Sequence, residues 1–565
     1  MDAPREVPAR RGFSISYGGK TLLSRIDPVA QAERLAAEIP LKERTLYFCP
    51  SPLYGYGLSL FLERLNEPQA RNSALLCVEA DEKLFGISRN AMEKLGAESR
   101  NRDPQPLALV MVSDPEGLCA FVRKTWGERR FRRVEVIHFT GGWQLFPRLY
   151  EDLALTLRRE IALEWGNAMT LIRLGRLYTR NFIRNIYFLS ESNKITAQRY
   201  GPSPIVVLGA GPSLDSFLDE MALLSGGKIP EPCNRAYKII CVDTCLPVMH
   251  ERGILPDLVV ILESQHWNLR DFSGERGRNV DAAIDLSALP ASGRVLGGKR
   301  FWFFTPWTEL ALFRRLEEAG LLGEPFPPLG SVGLSATAIA MSIGSGPVLL
   351  SGIDFSFTLD AYHARSTPGH SEMAGRQNRF RSIINAGAVL REGTFPTLSG
   401  AGERVRSDPA MRNYRDLFEQ EFGGNPRLAS IAGSGLPLGI KTITPAEAFA
   451  ILNNAGAPAR PLAREVSSTA MTDAAAQIRR FISREMDTLD TLKRILTGET
   501  PADAARLEEL LDAADYLWAH FPDCAGGQGT ARRPPGTDIG FLKRVRAEIE
   551  PFRECWEQAV SNYPS

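Results

Sequence analysis

The sequence predicts an α/β chain with two Rossmann-like, doubly wound parallel-sheet domains, one N-terminal and one central, and a helical C-terminal region. Three observations predict this. Short apolar runs that end in turn residues alternate with segments of helical spacing, first from Thr45 and again from Pro204. Strands separated by helices of this length form parallel sheets with right-handed crossovers. Two of the runs lead directly into glycine turns that open a helix. Beyond about residue 400 the apolar positions recur only at helical spacing.

Residues 1–145 form the predicted N-terminal domain. TLYFCPSP from Thr45 reads as a strand, Gly55 and Gly57 as a turn, LSLFLERL as a helix, and ALLCVEAD as a second strand ending in Glu79 and Asp81. That is the plan of a nucleotide-binding βαβ unit, although a GYG turn also serves as plain structure. LALVMVSD and VEVIHFT supply further strands. Residues 146–200 read as a helical connector, without a proline break from Leu149 to Leu189, with Arg173, Arg176, Arg180 and Arg184 on one face, either a solvated face or a basic rim beside an anionic substrate. The central domain, 201–400, repeats the alternation: PIVVL, KIICVDT, PDLVVILES, FWFFTP and PVLLSGIDF as strands, SFLDEMALL, LPVMHERG and SVGLSATAIAMSIG as helices. Residues 401–565 are expected to be helical, interrupted by PDCAGGQGTARRPPGTD.

Composition narrows the function. Of 565 residues 44% are apolar, enough to build cores of several domains. Lys plus Arg number 67 against 66 Asp plus Glu, so no nucleic-acid or anionic-membrane partner is expected. Eight sparse cysteines, with Cys241 and Cys245 the closest pair, read as buried reduced thiols rather than a zinc site. No secretory leader and no run approaching the ~20 apolar residues of a membrane span is present, so a cytoplasmic location is expected.

The chemistry gathers in the central domain. Gly209-Ala210-Gly211-Pro212-Ser213 follows a buried strand and opens a helix, the arrangement that offers backbone N–H groups and a helix dipole to a phosphate. Ligands in open α/β sheets sit beyond the C-terminal strand ends. That rule adds Asp243 and Thr244, Glu263, and Asp354, with Ser331 entering another helix on the same edge. His363 and His370, two of six histidines, fall beside Tyr362 on the loop after the SGIDF strand. Histidine titrates near neutrality and is suited to general acid/base work, though loop histidines are also often simply solvated.

These motifs, in order, carry a resemblance. GAGPSLD, CVDTCLPVMHERGILPDLVVILES, GSVGLSATAIAMSIG and LLSGIDFSFTLDAYHA resemble the central domain of the motility-associated factor (Maf) flagellin glycosyltransferases. The same segments resemble 6-hydroxymethylpterin diphosphokinases of the MptE-like type. SPLYGYGLSLFLERL and NFIRNIYF also resemble the motility factors, so the likeness spans residues from about 45 to 400. A more distant likeness is to bacterial cytidine-monophosphate sialyltransferases, whose loop, strand end, tyrosine and Gly-His-Ser find counterparts at Gly209, Asp354, Tyr362 and His370. By that likeness Tyr362 assists the departing phosphate and His370 is the base; the motility factors point instead to His363. Ala210 and Ser356 depart from the sialyltransferase pattern, an asparagine and a tyrosine there.

The resemblance implies transfer of a nonulosonic sugar from a CMP-activated donor to a flagellin hydroxyl, with no cofactor. Two alternatives remain open. One is diphosphoryl transfer to a pterin, which wants Mg2+ held by carboxylates such as Asp243, Glu263 or Asp354. The other is an inactive scaffold of the same fold. The long segments flanking the central domain suit a macromolecular acceptor better than a pterin.

Overall fold

A computed structural model describes residues 3–99, 106–112, 114–127, 130–227, 229–380, 382, 391–454, 468–525 and 533–561. The chain divides into two compact units: residues 1–173 with 519–535, and residues 174–518 with 536–565.

The first unit opens with an antiparallel hairpin sheet of β1 (Arg5–Pro8), β2 (Phe13–Tyr17) and β3 (Lys20–Thr21). Its sequence signal is the alternation FSISY before Gly18-Gly19. After α1 (Pro28–Glu38) come β4 (Thr45–Pro50), α2 (Leu58–Arg64), β5 (Ala74–Glu79), α3 (Glu82–Ser99), β6 (Leu107–Met111), α4 (Pro115–Trp126) and β7 (Arg133–Val136). The four strands from β4 onward form a parallel sheet in the order β6-β5-β4-β7. Numbered along the chain this is 3-2-1-4, the doubly wound order, with its switch point between β4 and β7. Every residue of β4 and β5 is buried, as expected of central strands covered on both faces. The predicted connector is α5 (Pro147–Asn185), a single helix of 39 residues.

The second unit holds a nine-stranded, all-parallel sheet. Its members are β8 (Asn193–Lys194), β9 (Ile205–Leu208), β10 (Lys238–Val242), β11 (Leu258–Ile261), β12 (Asp281–Asp285), β13 (Arg300–Phe303), β14 (Val348–Ser351), β17 (Leu428–Ile431) and β18 (Lys441–Ile443). The order is β18-β17-β14-β9-β10-β11-β12-β13-β8. The direction of winding reverses between β9 and β14, so the switch point lies there. β9, β10, β11 and β14 are buried throughout and rich in Val, Ile and Leu, the pattern of strands shielded on both faces. β15 (Phe395–Leu398) and β16 (Arg404–Ser407) pair as a separate hairpin. The helices from α6 (Phe188–Glu191) onward are α7 (Ser213–Leu224), α8 (Leu246–Glu251), α9 (Ala311–Glu318) and α10 (Val332–Ile343), with α7 preceding β10 and α10 preceding β14. Eight of the twelve residues of α10 are buried, and its small side chains let it lie close against the sheet.

Two expectations change. Strands do not end near residue 400: β17 and β18 extend the central sheet, with helices at 409–422 and 445–453 among them and further helices at 468–496, 504–513 and 539–561. LASI and KTI are too short and too mixed to show a period. β12, DAAID, was also missed because alanines between two aspartates carry little strand signal. The arginine face of α5 does not form a free basic rim. Arg176 pairs with Glu548 at 2.7 Å and Arg184 donates to Gln558 at 3.1 Å, both on the helix at 539–561.

Candidate functional site

The loops after β9 and β14 are bound to each other across the switch point. Gly209 N–H donates to the Ser351 carbonyl and Gly211 N–H to that of Gly352, both at 2.8 Å. Ser213 N–H donates to Asp354 Oδ2 at 2.7 Å and its hydroxyl to Oδ1. The glycines serve this contact. A Cβ on Gly209 would stand 2.4 Å from the Gly352 oxygen, and one on Gly211 would stand 2.6 Å from Asp354 Oδ2. Gly352 has φ +71°, and its Cβ would meet the Gly209 oxygen at 2.0 Å, so only glycine fits.

Asp354 thereby caps α7 from the neighbouring loop, while the acid in the helix's own first turn, Asp215, does not. Asp215 instead accepts from the Arg365 amide at 2.9 Å and pairs with Arg252. Burial pushes the Asp354 carboxyl up to about 6, opposed by its bonds from Ser213. The amides of Gly209, Gly211 and Ser213 are thus engaged within the chain. α10 enters this edge with no side-chain bond from its N-cap residue, Ser331, and the first N–H groups of a helix have no intrahelical partner. Gly333, in its first turn, packs on Ile353. A Cβ on Gly330 would come 3.1 Å from Tyr414, whose ring lies 6.4 Å from that of Phe355. Phe355 itself has a left-handed φ of 51°, a strain that packing must hold in place.

The two histidines lie near each other, and His363 reaches the Gly209 loop. His363 Nδ1 donates to the Ala210 carbonyl at 3.2 Å, and the Ala364 amide reaches the same oxygen at 2.9 Å. That bond leaves Nε2 as the basic nitrogen. Burial lowers the pKa of His363, with Arg391 and His370 acting the same way and the Ala210 carbonyl opposing. Its ring stands 4.8 Å from that of Tyr362, which lies 4.9 Å from Phe357. Burial raises the Tyr362 phenol. His370 lies on α11 (Pro368–Gly375), a helix with no buried residue, and its Nδ1 is itself buried without a partner. Arg391, which the sequence reading missed, stands 5.3 Å over the Tyr362 ring; one arginine in REGTF carries no pattern to find.

Along the same edge the remaining candidates form a second group. Asp243 is buried, accepting from the Thr244 amide at 2.9 Å and from Asn268 at 2.7 Å. Burial, with Asp271 next to it, pushes its pKa up to about 7. Thr244 donates to Asp271 at 3.2 Å. Glu263 is exposed and accepts from the Gln265 amide. The carboxylates named for a divalent metal therefore do not assemble as a ligand set. Asp243 and Asp354 are tied to different chain donors, and among the described residues no three His, Cys, Asp or Glu are placed to hold a metal ion. Asn181 and Asn185 of α5, within NFIRN, hold the loops after β11 and β12 through bonds to Ser264, Ser287, Leu286 and Ala288 carbonyls.

Among the described residues, no helix is long and apolar enough to cross a membrane. The family described as 6-hydroxymethylpterin diphosphokinase MptE-like matches residues 180–360. A Treponema pallidum (strain Nichols) protein described as uncharacterized is 27% identical over 579 residues, covering 99% of this chain and 96% of that protein. A second uncharacterized protein of the same organism is 21% identical over 131 residues, 23% of this chain and 58% of that one. The structure of the Maf glycosyltransferase from Magnetospirillum magneticum AMB-1 aligns with a TM-score of 0.51, covering 99% of this chain and 90% of that one, at 14% identity. The resemblance read from the motifs is borne out: residues 180–360 match the MptE-like family, within a chain that is similar in fold to the Maf glycosyltransferase.

Proposed function

We propose that the second unit is a glycosyltransferase that moves a nonulosonic sugar from a CMP-activated donor to a flagellin hydroxyl, with His363 as general base. The observation that carries this reading is the His363–Ala210 bond. That bond orients the His363 imidazole beside the loop at the switch point, and burial lowers its pKa, which supports a base at the edge where α/β sheets bind ligands. In this reading the acceptor oxygen attacks the anomeric carbon and its proton passes to His363 Nε2. The bond from that carbon to the phosphate oxygen breaks, and CMP leaves with both bonding electrons. Tyr362, next to His363, is suited to donate a hydrogen bond to the departing phosphate. The α10 N-terminus at Ser331, rather than the engaged amides of the Gly209 loop, supplies the dipole and donors for an anionic group. Asp243, Thr244 and Glu263 belong to the same edge and would meet the nucleoside.

Intact-mass measurement of flagellin from parental, His363→Ala and His370→Ala strains tests this. The parental strain should carry the sugar mass and His363→Ala should lose it at unchanged protein level. Full modification in both variants would remove the base from both residues. Pterin diphosphate formation from ATP, with flagellin mass unaffected by deletion of the chain, would favour the diphosphokinase reading.

A further inference from the structure

In the first unit the place where a doubly wound sheet binds its nucleotide is already filled. The crevice rule puts that place beyond the C-terminal ends of β4, β5 and β7, around the switch point between β4 and β7. The β1–β3 hairpin touches the loop after each of these strands. After β5, Asp81 accepts from the Tyr17 hydroxyl at 2.9 Å. After β7, Gly141 N–H donates to the Leu22 carbonyl at 2.7 Å. After β4, the Leu53 side chain is wholly buried in one cluster with Ile15, Tyr17, Leu22, Leu23 and Leu84.

The groups a dinucleotide would use have partners inside the chain. Glu79, the acid ending the second strand, is buried and accepts from Ser51 at 2.8 Å and from Tyr150 at 3.0 Å. The Ser51 carbonyl receives the Thr140 hydroxyl at 2.6 Å. Ser51 and Leu53 both hold left-handed φ angles, 50° and 51°, a conformation non-glycine residues keep only when the surroundings impose it. A Cβ on Gly142 would stand 2.1 Å from Ser51 Oγ, so the first turn and the loop after β7 close directly on each other.

We infer that residues 13–23 are an in-chain occupant of the N-terminal nucleotide crevice, and that this unit binds no nucleotide of its own. Tyr17 takes the position of a ribose hydroxyl on the acid after the second strand, and Leu22 and Leu53 take the apolar volume. The GYG turn is structural.

Hydrogen–deuterium exchange on the full chain, alone and with saturating CMP, ATP or NAD, tests this. Peptides over 13–24, 51–57 and 138–143 should exchange as slowly as β4 and show the same uptake with every nucleotide. Leu22→Asp, which puts a charge into the cluster, should speed exchange of 13–24 and 138–143 at least tenfold while β9 and β10 keep their parental rates. Slowing of 51–57 and 138–143 by any nucleotide would overturn the inference. So would parental exchange rates for 13–24 and 138–143 in Leu22→Asp.

Discussion

His363 and His370 differ in what holds them, and that difference sets their expected contributions. The Ala210 carbonyl fixes one tautomer and orientation of His363, whereas His370 sits on a helix that buries none of its residues. Losing a positioned base costs about 10²–10⁴ in rate. His363→Ala should therefore lower sugar transfer by that factor, and His370→Ala by far less, as measured by CMP release with acceptor present. Because burial lowers the His363 pKa, the imidazole stays unprotonated to a lower pH than a free one. The acid limb of kcat/KM should accordingly fall below the usual ~6.5 of histidine. An acid limb above that value would contradict the assignment. The sequence placed both histidines and Tyr362 together but could not choose between them, since the choice rests on a hydrogen bond between residues 153 positions apart.

At the scale of elements, the strand–glycine–helix pattern at residue 209 was readable, but its use was not. The motif promises open amides; the fold brings up the loop after β14, where Asp354 takes the Ser213 amide and the Ser351 and Gly352 carbonyls take those of Gly209 and Gly211. Gly211→Val tests packing first, because the new side chain would drive into the Asp354 carboxylate and the Gly352 carbonyl. Overpacking of this kind costs roughly 1–3 kcal/mol, so the melting temperature should drop without any ligand. An unchanged melting curve would mean the two loops separate in solution. Ser213→Ala strips Asp354 of its hydroxyl donor and should destabilise by about 1–3 kcal/mol. Asp243 adds a pH signature. Its folded pKa of about 7 lies above the ordinary aspartate value of 3.8, so the folded state holds a proton that the unfolded chain releases. Stability from this group is therefore fully present below pH ~4 and declines as pH rises toward ~7. Relative to the parent, Asp243→Asn should gain stability across that window, by up to about 4 kcal/mol, in urea melts from pH 4 to 8. Parallel curves would show that Asp243 titrates normally.

At the scale of the whole molecule, short continuous apolar runs made both parallel sheets readable, because strands buried on two faces are apolar almost throughout. What escaped was what completes each sheet: the β17 and β18 edge, the alanine strand β12, and the hairpin over the first unit. These are short elements whose place is set by partners distant in sequence. The same gap explains why two glycine turns looked alike. One lies beside an imidazole, and the other leads from a loop whose Leu53 packs with Ile15, Tyr17 and Leu22. The proposal for the molecule is one nucleotide site, in the second unit, that prefers a cytidine nucleotide. Titration calorimetry of the purified full chain with CMP and with ATP tests it most directly. One equivalent of CMP should bind, more tightly than ATP and little altered by chelator. Two equivalents, or a strict magnesium requirement with ATP preferred, would contradict it.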